Sequence, residues 1–196
     1  MKEKIGYILL AVVLGLGVYY KLFEEKSASE ESVNNSKYTL PQLLTEIKVL
    51  EGRMFSGDPS QITKEDAEAL AGFYKDYALN YSNSPEAAEY TFKAAEVFMG
   101  LRNGEEVLAM ADLFMKNFPQ DEKAPLSLFI KALAYDDLMG NVEMAKKTFE
   151  TFLEKYPTSE YADDAQALMS QLGMTDEEKI KMLQEQNQDV LEENGN

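Results

Sequence analysis

From residue 39 onward, apolar residues recur at helical spacing. Thr39 and Gln42 read as a capping box, and Leu43, Leu44, Ile47, Leu50 and Met54 form one stripe behind it. Thr63 with Asp66 caps a second helix, whose buried side carries Leu70, Phe73, Tyr74, Tyr77 and Tyr81. The pattern predicts further helices over 85–101, 104–118, 123–139, 142–156 and 158–172, broken at Asn103 and Gly104, Pro119, Gly140 and Asn141, and Pro157. A last helix is predicted from 175 to 190, capped by Thr175 with Glu178. Its apolar stripe of Ile180, Leu183 and Val190 is thin, so loose docking is expected. No segment alternates as a strand would, and the predicted class is all-α.

The first residues follow another pattern. Residues 5–20 are an uncharged run, with Ile5, Leu9, Leu10, Val13 and Leu14 along it and Tyr19 and Tyr20 where an interfacial aromatic belt belongs. As a helix the run spans roughly 24 Å, extended by Leu22 and Phe23 if Lys21 snorkels. An uncleaved single transmembrane anchor is expected. A signal peptide cut after Gly17 is the competing reading. No cysteine follows the run to carry a lipid. Lys2 and Lys4 balance Lys21 and Lys26, and the α-amino group tips the orientation towards a cytoplasmic N-terminus with the remaining chain in the periplasm. The expected organisation is an anchor over 1–23, a polar flexible linker over 24–38, a helical domain over 39–174, and a C-terminal helix with frayed tail over 175–196.

Three segments of the helical region superimpose. Each ends on an aromatic residue at Tyr81, Phe118 and Tyr156, 37 and then 38 residues apart. Beyond these lie Ala87, Ala124 and Ala162, then Ala95, Ala132 and Ser170, then the aromatics Phe98 and Tyr135. Two helices per unit at this period is the pattern of a helical solenoid. It resembles the tetratricopeptide-repeat (TPR) family, with the best copy running through Ala132, Tyr135, Gly140, Ala145, Phe149, Phe152 and Pro157. Tyr135 to Gly140 is one residue longer than that family's spacing, and Ser82 replaces the proline of the first copy. The implied architecture is about three helix pairs with a C-terminal capping helix. The aromatic-proline endings are similar to envelope TPR proteins of Gram-negative bacteria. The acidic repeats behind one membrane run are most similar to the YfgM-like type, which implies an ancillary subunit of the Sec translocon.

Composition narrows the chemistry. There is no Cys, His or Trp, which removes zinc sites, thiolate nucleophiles and histidine bases. The net charge of −16 argues against a nucleic-acid partner. No phosphate loop or nucleophile elbow appears, and the adjacent pairs Asp136 with Asp137 and Asp163 with Asp164 read as solvated helix surface. No enzyme activity, cofactor, metal or small-molecule substrate is expected. By TPR position, the groove-facing candidates are Glu89, Phe92, Glu96 and Met99 on one helix and Phe129, Leu133, Asp136 and Asp137 on the next. The alternative is that Phe92 and Phe129 are core. An apolar floor with an acidic rim suits an extended apolar or basic segment of another protein. The expected function is a membrane-anchored scaffold assisting export at the Sec translocon, with a membrane-anchored periplasmic chaperone or translocating client chains as partners. The alternatives are a periplasmic coordinator of peptidoglycan synthesis and division, or a factor in outer-membrane protein assembly.

Overall fold

The computed structural model describes residues 36–56, 62–175, 177–178 and 180–182. The chain divides into two units, Met1–Lys37 and Tyr38–Asn196. The anchor expected over residues 5–20 lies outside the described residues, as does most of the last helix. Among the described residues no helix is long and apolar enough to cross a membrane.

The second unit is a row of helices: α1 (Leu40–Ser56), α2 (Lys64–Asn80), α3 (Ala87–Gly100), α4 (Gly104–Asn117), α5 (Ala124–Leu133), α6 (Val142–Lys155) and α7 (Ala162–Gln171). No strand occurs among the described residues. Each helix packs chiefly on its neighbours in sequence, as a TPR-like solenoid requires. The predicted caps are formed. Thr63 Oγ1 accepts from Asp66 N at 3.1 Å, and the Thr39 N–H donates to Gln42 Oε1 at 2.9 Å. Asn103 and Asn141 play the same part for α4 and α6, accepting from Glu106 N and Met144 N. Thr175 and Glu178 form a complete box, with bonds of 2.7 and 3.2 Å.

The turns between pairs repeat bond for bond. Tyr81, Phe118 and Tyr156 each donate a backbone N–H four residues back, and their carbonyls accept from Ser84, Asp121 and Ser159. The next bonds run from Ala87, Ala124 and Ala162 to those three residues' carbonyls. This five-residue turn corrects the predicted helix starts. Helix α7 begins at Ala162 rather than 158, because residues 157–161 form the same turn as 119–123.

An aromatic pair closes the end of each second helix: Tyr77 with Tyr81 at 5.7 Å, Phe114 with Phe118 at 5.5 Å and Phe152 with Tyr156 at 5.9 Å between ring centroids. First helices cover these rings. Tyr90 packs on Tyr77, Phe92 on Phe114 and Phe129 on Phe152. Tyr77, Phe114, Phe149 and Phe152 are fully buried.

The one-residue excess after Tyr135 is absorbed inside the helix. Helix α5 continues as a π-helical turn over Ala134–Leu138, where Met139 N bonds to Ala134 O, five residues back. Asn141 N then reaches Tyr135 O, six residues back, where the preceding pair has Asn103 N bonding Phe98 O, five back. The widened turn explains why the period changes from 37 to 38 residues. It also explains Gly104: a Cβ there would lie 3.0 Å from Leu138 Cβ and 2.7 Å from Met139 Sδ, so the turn needs a bare backbone beneath it.

Gly140 (φ 60°) and Arg102 (φ 55°) occupy equivalent left-handed positions before the two asparagine caps. No atom would crowd a Cβ at Gly140, so the cost of a side chain there is conformational alone. Gly140→Ala is expected to lower unfolding free energy by about 1 kcal/mol, read as a shift in denaturant midpoint at constant slope.

Candidate functional site

Side chains of the first helices α1 and α3 and of the start of α5 meet on one face. An alternating chain of charges crosses it. Lys93 on α3 reaches Glu51 on α1 at 3.0 Å and Glu89, one turn earlier on α3, at 3.3 Å. Glu89 in turn pairs with Lys123 at the start of α5. Helix geometry supplies only the Glu89–Lys93 step, by i,i+4 spacing. The others depend on how the pairs stack.

Aromatic rings support the chain from below. The Lys93 ammonium stands 5.9 Å from the Tyr74 ring centroid and 5.7 Å from that of Tyr90, and Lys123 stands 5.6 Å from that of Phe92. The buried Tyr74 hydroxyl donates to Glu51 at 2.6 Å. Burial and then this bond hold the Tyr74 phenol well above its ordinary pKa. Tyr77 is pushed up to about 12 by burial and by its bond to Glu86.

The carboxylates on this face differ. The Lys123 hydrogen bond holds Glu89 below its ordinary pKa, against an opposing contribution from burial. Glu96, two turns on from Glu89, is exposed and forms no ion pair among the described residues. Partial desolvation of its carboxyl raises its pKa, and Lys123 only partly offsets this. The signs decide the acid behaviour. Glu89 stabilises the fold above its unfolded pKa of about 4.5, and that contribution is lost as pH falls through its lower folded value. Acid titration of unfolding is therefore expected to show a loss of stability below pH 4.5 that Lys123→Met reduces.

The groove-facing candidates fall into two groups. Glu89, Glu96 and Met99 on α3, and Leu133 on α5, are partly or fully exposed. Phe92 and Phe129 are 4% and 8% exposed, and the core alternative holds for both. Phe92 packs on Phe114, and Phe129 packs on Phe149, Phe152 and Tyr161. The surface above these two rings carries the charged side chains Glu89, Lys93 and Lys123. Asp136 and Asp137 lie in the π turn, where the Asp137 carbonyl accepts from Arg102 at 3.1 Å. Composition and repeat spacing did not single out Glu51, Lys93 or Lys123. Only the i,i+4 pair was readable along the chain. No group of three or more carboxylates that could hold a metal occurs among the described residues.

Comparison with known proteins places this architecture. Residues 53–175 match the family YfiO, described as "Outer membrane lipoprotein". A search of curated proteins returned no match. The matched stretch takes in α2 through α7, the repeated turns and the α3–α5 part of the charged face. With well over half of its residues inside that match, the chain belongs to the YfiO family of outer membrane lipoproteins.

Proposed function

We propose that this chain is a cell-envelope scaffold that works by binding other proteins rather than by catalysis. Its binding surface is the face shared by α1, α3 and α5. The observation that carries this reading is the charge chain from Glu51 through Lys93 and Glu89 to Lys123. It ties three first helices into one fixed surface, so a partner meets a preorganised face and binding costs less ordering. An anchor over residues 5–20, with the N-terminus in the cytoplasm and the repeats in the periplasm, would hold that face at the inner membrane and raise its local concentration there.

Two partner sets have support. The family match favours components of outer-membrane protein assembly. The uncharged run over 5–20, in a chain without cysteine, favours an accessory of protein export at the Sec translocon beside a membrane-anchored periplasmic chaperone. The experiment is affinity purification of the tagged full chain from membranes in mild detergent, with partners identified by mass spectrometry. Recovery of outer-membrane assembly factors selects the first set. Recovery of the Sec channel and chaperone, lost when residues 5–20 are replaced by a cleavable signal, selects the second. Glu96→Lys reverses charge on the face at a carboxylate that forms no ion pair among the described residues, and it should reduce recovery of direct partners at least several-fold. Unchanged recovery would sink the assignment of the face.

A further inference from the structure

A cavity of ≈ 310 Å³ opens between the turn that leads into α5 and the turn that leads into α7. It is lined by Glu122, Lys123, Leu126, Glu160 and Tyr161. Two apolar surfaces meet in it. Leu126 belongs to the first turns of α5, and the Tyr161 ring is held by Phe129 at 5.5 Å between centroids. Glu122 and Glu160 are exposed and take part in no salt bridge among the described residues.

The lining lysine does not neutralise these carboxylates. Its ammonium pairs with Glu89 on α3 and stands over the Phe92 ring. The cavity therefore presents two carboxylates, of which Glu160 also accepts from the Tyr161 hydroxyl, an aliphatic wall and an aromatic ring, with its cation already committed elsewhere. That set matches a side chain with a long aliphatic stem and a planar cation. Arginine fits better than lysine, because a guanidinium both forks to carboxylates and stacks on a ring.

We infer that this cavity is a subsite for an arginine side chain on a partner protein's segment. The guanidinium pairs with Glu122 and Glu160 and lies against Tyr161, while its stem rests on Leu126. The net charge of −16 favours approach of such a basic segment. This inference rests on the proposed interaction role and deepens it, naming the chemistry of the partner at one end of the face.

The test is titration of isotope-labelled full chain in mild detergent with Nα-acetyl-arginine methylamide, followed by NMR at Tyr161 and Leu126. Saturable shifts are expected, with Kd on the order of millimolar. The neutral citrulline analogue should bind at least tenfold more weakly, as should arginine to the double variant E122Q/E160Q. Both substituted side chains are exposed, so the variant keeps the fold. Non-saturating shifts, equal binding of citrulline, or full binding by the double variant would each overturn the subsite. Partner recovery separates the two ideas. If Glu96→Lys removes partners while arginine does not bind, the face stands and the subsite falls. If arginine binds but E122Q/E160Q leaves partner recovery unchanged, the occupant is not a partner's arginine and the inference fails.

Discussion

Phe114→Ala is expected to lower the stability of the helical domain by about 4 kcal/mol, within the range for emptying a large aromatic site in a packed core. The ring is fully buried, packs edge-on to Phe92 at 5.9 Å, and meets Phe118 at 5.5 Å. It also forms one cluster with Phe92 and Ala124, which begins the next pair. Its loss therefore opens a cavity at a junction between repeats. In a solenoid, stability is a sum of units and of the interfaces between them, and this substitution removes interface. Chemical denaturation of the purified chain measures the effect. A lowered midpoint with unchanged slope means that the repeats still unfold together. A second transition with reduced slope means that the junction alone carried their coupling. A loss below about 1 kcal/mol would show that α4 and α5 re-close around the gap.

The second large effect is expected from Glu51→Ala, at about 2 kcal/mol. Glu51 accepts from the buried Tyr74 hydroxyl and from Lys93. Removing it leaves a phenol without its acceptor and a lysine over two tyrosine rings with one carboxylate fewer. Tyr74→Phe removes the donor as well as the demand, so it should cost about 1 kcal/mol or less. The ordering is the test. If Tyr74→Phe proves as costly as Glu51→Ala, the phenol matters through packing rather than through its bond. In the double variant the two effects should fall short of additive, since both act on one hydrogen bond.

These two sites mark what could and could not be read from the amino-acid sequence. Phe114 belongs to the aromatic endings, and the repeat was legible because Tyr77, Phe114 and Phe152 recur with their partners Tyr81, Phe118 and Tyr156. Helix punctuation was legible for the same reason, since Thr63, Asn103 and Asn141 sit at local caps. The charge chain was not. Glu51 and Lys93 are 42 positions apart, and Glu89 and Lys123 are 34 apart. Such pairings emerge only when helix pairs stack. Phe92 and Phe129 were ambiguous because repeat counting gives a position along a helix but not the size of its neighbours. Here the second helices present Phe114, Phe149 and Phe152, and those rings draw the first-helix aromatics inward.

The π turn over Ala134–Leu138 has a bearing on how such chains should be compared. Its extra residue sits upstream of the Asn141 cap, so residues 142–162 return to the same phase as in the preceding pair. The solenoid thus tolerates an insertion without displacing a helix, because the backbone ladder stretches where a loop would otherwise have grown. Any ruler of fixed length laid along the chain slips by one step within that turn. Asp136 and Asp137, placed on the face by such counting, stand at the slip itself. Equivalence between repeats there is better judged from the shared left-handed residues, Arg102 and Gly140, than from residue number.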